Sequence, residues 1–272
     1  MRCHYVSDLH LETQEAPGPF PKGDVLIIAG DLCNAKYIDV ERTDKYSKNQ
    51  QERISKYIDD AASKFKRVLL IAGNHEHYDG IFDDTIGLLT QNLPSVHVLD
   101  NNYIDIDGVR FFGTTLWSDF EGRSQSCMDA LRRRVGEFLL VKKRTTNDDG
   151  TQALSKFQPE DALEEFDKSL LALKHCRDDG FSGPMIVISH HAPSLKGLNP
   201  IHKGNGLDGA FASDLDAMIE GLENVPYWVH GHTHVQTKYQ IGSTTVLANC
   251  RGFVTRDAYA LSFSQKTCFD IK

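Results

Sequence analysis

Asp24-Val25-Leu26-Ile27-Ile28-Ala29-Gly30-Asp31 is the stretch from which the fold can be read. Its apolar residues run without alternation, the mark of a strand covered on both faces, as in a parallel sheet flanked by helices. A second such run, Val68-Leu69-Leu70-Ile71-Ala72, ends at Gly73-Asn74. Between the two, Ile54, Tyr57, Ile58, Ala61 and Phe65 fall three or four residues apart, so an amphipathic helix is expected over 49–65. Strand, helix and strand in that order predict a parallel crossover and an α/β protein.

The pattern extends in both directions. Cys3 to Val6 reads as a short strand that stops at Ser7-Asp8, and the Pro/Gly-rich segment Ala16 to Gly23 as a loop. A helix is expected from Ile81 to Asn92, before Pro94. Tyr103–Ile106 and Val109–Gly113 flank Asp107-Gly108, a dipeptide suited to a tight hairpin. Residues from about 122 to 177 are expected to be mostly helical, an insertion or cap on a single domain spanning 1–272. There Pro159 opens a helix whose stripe is Leu163, Phe166, Leu170 and Leu173. Arg132-Arg133-Arg134 and Lys142-Lys143-Arg144 are expected on solvated helix faces. Strand texture returns at Met185–Ile188, ending in Ser189-His190, and at Tyr227–Val229, ending in His230-Gly231-His232. Short strands are expected at Thr244–Ala248, Ala260–Phe263 and Cys268–Ile271.

The 272 residues are enough to bury a core without disulfide or metal staples. A net charge of -8 argues against a general nucleic-acid binder, which would present a basic face. The six cysteines are scattered with no C-x-x-C pair, so reduced, buried thiols are expected rather than a zinc ribbon or disulfide framework. No apolar run of ~18 residues is present and the N-terminus shows no secretory pattern, which reads as a cytoplasmic protein with no membrane segment. The oligomeric state is left open.

Five of the expected strands end in residues able to bind metal: Asp8-Leu9-His10, Gly30-Asp31, Gly73-Asn74-His75-Glu76, His190-His191 and His230-Gly231-His232-Thr233-His234. In open α/β sheets, side chains beyond the carboxyl ends of the strands share a crevice where ligands bind. Each short match is weak alone: Gly30-Asp31 could be only a turn, and Asp8 only a cap. Yet eight of the twelve histidines (10, 75, 77, 190, 191, 230, 232 and 234) lie at these ends, which packing alone explains poorly.

The ordered set D-x-H, G-D, G-N-H-E, H and G-H-x-H closely resembles the calcineurin-like metallophosphoesterase superfamily, with motifs from Asp8 to His234. The resemblance implies a two-sheet β-sandwich flanked by helices, α-β-β-α, with a metal site at the strand C-terminal ends. It implies one divalent cation held by Asp8, His10, Asp31 and His234 and a second held by Asp31, Asn74, His190 and His232, with Asp31 bridging. It also makes His75 the general acid, beside Asp31 and Asn74, in hydrolysis of a phosphate monoester or diester by water activated between the cations. His191 and Glu76 have no ligand role in that pattern, and His230 is expected to be structural.

Elementary chemistry agrees with these roles. Mixed oxygen and imidazole donors without thiolate suit manganese, iron, zinc, cobalt or nickel, manganese being favoured. Paired ions about 3.5–4 Å apart acidify a shared water and clamp phosphoryl oxygens. A small phosphate ester is the expected partner, and nucleic acid is not. The competing readings are a non-catalytic interaction module of the same fold, a nuclease acting on DNA, and a single-zinc hydrolase. The 122–177 stretch is a candidate lid or wall, and His202, Asn205 and Arg251 are candidate pocket residues.

Overall fold

The computed structural model describes residues 1–271. Its strands are β1 (Arg2–Val6), β2 (Gly23–Ala29), β3 (Phe65–Ile71), β4 (His97–Leu99), β5 (Asn102–Ile106), β6 (Val109–Thr114), β7 (Lys142–Thr146), β8 (Gln152–Lys156), β9 (Met185–Ser189), β10 (Tyr227–His230), β11 (Gln236–Ile241), β12 (Thr244–Asn249) and β13 (Cys268–Asp270). One sheet has the order β13-β1-β2-β3-β4 and the other β11-β12-β10-β9-β6-β5. The inner strands of both sheets pair in parallel, while β13, β11 and β5 join antiparallel at or near the edges.

The uninterrupted apolar runs are explained by three layers of packing. In β2 and β3, Ile27, Leu69 and Ile71 face inward and meet Phe111, Ile186, Ile188, Val229 and Leu247 of the second sheet. Their neighbours Leu26, Ile28, Val68 and Leu70 face outward onto Ile54, Tyr57, Ile58 and Ala61 of the helix Lys45–Lys64. On the far side Phe112, Val187, Trp228 and Val246 pack against Phe166 and Leu173 of the helix Pro159–Asp178. A strand buried on both faces has no polar side to show, hence the missing alternation. The result is the expected two-sheet sandwich between helices.

Three local expectations are corrected. The 122–177 stretch is not helical throughout, because it contains the hairpin β7–β8 between the helices Gln125–Leu131 and Pro159–Asp178. Lys142-Lys143-Arg144 therefore sits on a strand, tied down by Lys142 N–H donating to Gly80 O at 3.1 Å and Arg144 N–H to Asp83 Oδ2 at 2.8 Å. Ala260–Ser262 is a 3₁₀ turn rather than a strand, with Leu261 91% exposed and so without a sheet face to cover.

Ile188 has no exposed surface and lies between the two sheets. Ile188→Ala is expected to cost ~2–5 kcal/mol in denaturant unfolding. A loss below ~1 kcal/mol would mean that the sheets do not meet there.

Candidate metal centre

Asp8 and His10 follow β1, Asp31 follows β2, Asn74 follows β3, His190 follows β9, and His232 and His234 follow β10. The carboxyl ends of five parallel strands, drawn from both sheets, therefore open onto one place. The backbone turns sharply there. Asp8, His10, Asp31, His232 and His234 all have positive φ, between 47° and 67°, a region that Asp and His enter only at a cost. The preceding glycines clear the space: a Cβ on Gly73 would strike both the Asp31 carboxylate and the His190 ring.

The side chains converge in two groups. Asp8, His10, Asp31 and His234 each bring a ligand atom within 4.8 Å of the others, and Asp31, His190 and His232 do the same. His10 Nε2 lies 3.1 Å from His234 Nε2, and His234 Nε2 lies 3.4 Å from Asp8 Oδ1. On the other side, His190 Nε2 is 3.4 Å from Asp31 Oδ1 and 3.1 Å from Asn74 Oδ1. Asp31 Oδ2 points the opposite way, 3.9 Å from His10 Nε2. Buried His232 Nε2 has no hydrogen-bond partner, a costly arrangement for a ring nitrogen unless something else meets it. These observations, with the donor chemistry, fit a divalent cation in each group.

Buried or half-buried partners hold the outer edges of the histidine rings. His190 Nδ1 lies 2.8 Å from Ala29 O, and His234 Nδ1 lies 2.6 Å from Asp257 Oδ2. Glu12 Oε1 is 3.0 Å from His10 Nδ1 and also 3.0 Å from His75 Nδ1, so one buried carboxylate orients two imidazoles. Such contacts fix the tautomer and direct the free nitrogen inward. Burial disfavours the charged form of Asp8, but the His234 hydrogen bond and the His234 and His190 charges together outweigh it and hold this carboxyl below its ordinary range.

A calcineurin-like phosphoesterase profile matches residues 1–236. The chain belongs to that family. Its class of chemistry is metal-dependent hydrolysis of phosphate esters, and the family implies a dinuclear divalent centre. An uncharacterized protein of Acanthamoeba polyphaga mimivirus, L509, is 25% identical over 92% of this chain and 90% of its own length. Among solved structures, phosphopantetheinyl hydrolase (PptH) from Mycobacterium tuberculosis superposes with a TM-score of 0.57 at 15% identity. That match covers 95% of this chain and 93% of that one, and shows the shared fold.

His75 lines a cleft of about 510 Å³ together with Asp31, Asn74, His232 and His234. His191 lies under His232, ring centroids 4.2 Å apart, with Nδ1 near Thr115 O. His230 is buried with Nδ1 at Gly231 O, and His77 Nδ1 meets Thr85 Oγ1. His202 lines the cleft, while Asn205 lies in an adjoining hollow of about 240 Å³. Arg251 does not line the cleft. Its guanidinium turns away to donate to Glu15 O at 2.6 Å.

Sequence reasoning passed over Glu12 and Asp257. Glu12 could have been suspected from its place two residues after His10, whereas nothing local marks Asp257, 23 residues beyond His234. Glu76 has a further task. Its carboxyl accepts from the N–H groups of Asp31, Leu32, Cys33 and Gly73 at 2.6–3.1 Å, tying the turn after β2 to the turn after β3. Burial first, then the Asp31 charge, pushes its pKa above the ordinary carboxyl range. Glu76→Ala would orphan four buried amides at about 1–3 kcal/mol each, so a loss above ~3 kcal/mol is expected in guanidinium unfolding. Near-neutral behaviour would show that the turns hold without it.

Proposed function

We propose that this phosphoesterase hydrolyses a phosphate monoester or diester of a small molecule. Asp8, His10, Asp31 and His234 hold one divalent cation, and Asp31, Asn74, His190 and His232 hold the second. The observation that carries the reading is the placement of Asp31, whose two oxygens face different ligand groups. Two such cations, when bound, supply Lewis-acid charge to phosphoryl oxygens and lower the pKa of a water between them.

The chain's own groups take the remaining roles. His75 is the proton donor to the leaving oxygen. Its Nδ1 is engaged by Glu12, which leaves Nε2 for the cleft. Burial opposes protonation of this ring, yet the Asp31 and Glu12 carboxylates outweigh it and raise its pKa above the ordinary imidazole value. The Asn74 amide donates from Nδ2 to the Tyr78 hydroxyl at 2.8 Å, which turns Oδ1 toward His190 and the second group. Asp31 Oδ1 also accepts the His75 N–H at 2.9 Å, linking the donor's backbone to the bridging carboxylate.

Oxygen and imidazole donors without a thiolate are compatible with manganese, the ion favoured here, and equally with iron, zinc, cobalt or nickel. The bounded cleft and the net charge of -8 support a small substrate over duplex DNA. All six cysteines are unpaired, which supports residence in a reducing compartment such as the cytoplasm. Among the described residues, no helix is long and apolar enough to cross a membrane.

Two experiments test the reading. Protein reconstituted with manganese is expected to carry two ions per chain and to hydrolyse a nitrophenyl phosphate ester. Asp31→Asn should lose ions and turnover together, whereas His75→Ala should keep both ions and lose ~10²–10⁴-fold in kcat. Full activity with one ion per chain would overturn the assignment. Separately, Glu12→Gln is expected to weaken metal affinity ~10–100-fold in calorimetric titration, as removal of an orienting carboxylate typically does.

A further inference from the structure

The cleft over the ligand groups carries two guanidinium groups that the hydrolytic reading has not used. Arg134 comes from the turn after the helix Gln125–Leu131 and Arg256 from the loop after β12, so they reach the cleft from different segments. Both are exposed, and among the described residues neither stands in an ion pair. By contrast Arg110, Arg123, Arg132 and Arg144 each face a carboxylate. Of the carboxylates in the cleft wall, Asp257 is engaged by His234 and Glu137 by Tyr78.

Both guanidinium groups are held in place without a direct ion pair, although the neighbouring Asp257 carboxylate interacts with Arg256 through space. Arg134 donates from Nη1 to Gly206 O at 3.1 Å and, more weakly, from Nη2 to Asn205 O at 3.4 Å, which leaves its remaining N–H groups free. Arg256 lies over the Phe253 ring, 3.9 Å from its centroid, and Phe253 stacks on His10 with centroids 4.1 Å apart and planes at 13°. Two groups at such distances cannot share one face of a ring, so Phe253 separates Arg256 from His10. Arg256 thus lies on the far face of Phe253 from His10, at the outer side of the cleft wall rather than against that ligand ring.

We propose that Arg134 and Arg256 form a subsite for a second phosphoryl group, narrowing the substrate to one that carries two, as a bisphosphate or with the second group linked to the first as a phosphoanhydride. The proposal rests on the hydrolytic reading for the position of the scissile group. Guanidinium forks match phosphate oxygens two at a time, and a stacked, positioned fork loses less freedom on binding than a free one. A cleft of about 510 Å³ is also larger than a lone phosphate requires. The second group can be linked directly to the scissile one or carried elsewhere on the same molecule, and both arrangements present the same charge to the arginines.

The test compares adenosine 5′-monophosphate, adenosine 5′-diphosphate and adenosine 3′,5′-bisphosphate as substrates of the manganese-loaded full chain, reading released phosphate. At least one compound with two phosphoryl groups should exceed the monophosphate tenfold in kcat/KM, and which one does so distinguishes direct linkage from separate attachment. Arg134→Gln and Arg256→Gln should each lower that preference about tenfold, mainly through KM. Arg256→Lys should restore only part of it, because an ammonium keeps the charge but loses the fork. Equal rates on all three compounds, or variants that depress all three by the same factor, overturn the proposal.

A binding measurement decides the matter even if the protein proves inactive. Inorganic diphosphate should bind the folded, manganese-loaded protein at least tenfold tighter than inorganic phosphate by calorimetry, and the double variant R134Q/R256Q should lose that margin. Equal affinities in the parent protein reject the subsite. Tight diphosphate binding without turnover would instead remove the hydrolytic reading and leave the subsite standing.

Discussion

Asp31 carries two oxygens into a buried space where each faces an imidazole from a different sheet, His10 on one side and His190 on the other. No single strand could supply that arrangement. It requires the turn after β2 to stand between the ends of β1 and β9, and hence requires both sheets to present their carboxyl ends in the same direction. The dense apolar layer between the sheets, with Ile27, Ile71, Ile188 and Val229, fixes this register. Packing here is the means by which residues as distant as Asp8 and His234 acquire positions within a few ångströms of each other.

The same concentration of charge has a cost. Asp8, Asp31, Glu12 and Glu76 are all buried, as are His10, His190 and His232. Removing one partner from such a network leaves an uncompensated charge, so the interactions act as a set rather than as separate bridges. Backbone amides share the load: Glu76 takes four, and Asp8 accepts the His232 N–H at 3.0 Å. The left-handed turns at five of the seven candidate ligands belong to this balance, since strained backbone persists only where its surroundings overdetermine it.

How much of this could be read in advance followed from the range of the interactions. The inner strands were legible because burial on both faces writes a continuous apolar run, as in Leu26–Ala29 and Val68–Ala72. Their end residues were legible because a turn glycine precedes Asp31, Asn74 and His232. The edge strand β11, Gln236–Ile241, was not anticipated, for a half-solvated strand carrying Gln, Lys and Tyr has no apolar stripe to reveal it. The hairpin β7–β8 was mistaken for helix for the same reason: charged and threonine-rich strands on a surface carry little period. Asp257 escaped because its partner His234 is fixed only by tertiary folding, and Arg251 was misplaced because side-chain direction in a loop leaves no trace in sequence.

The basic run Arg132-Arg133-Arg134 shows why net charge and local charge must be kept apart. Arg132 is consumed by the scaffold, donating to Gln158 Oε1 at 2.6 Å and pairing with Glu160 at the start of the helix Pro159–Asp178. Arg134, two residues on, lines the cleft and meets only the backbone carbonyls of Gly206 and Asn205. A single turn thus divides adjacent charges between structure and cleft. With Arg256 held off the ligand cluster by Phe253, the protein keeps cationic groups at the mouth of its cleft while its overall charge stays at -8. For an anion approaching from solution, the field inside that concavity matters more than the sum over the surface, because screening over about 8–10 Å removes most of the distant acidic residues from the interaction.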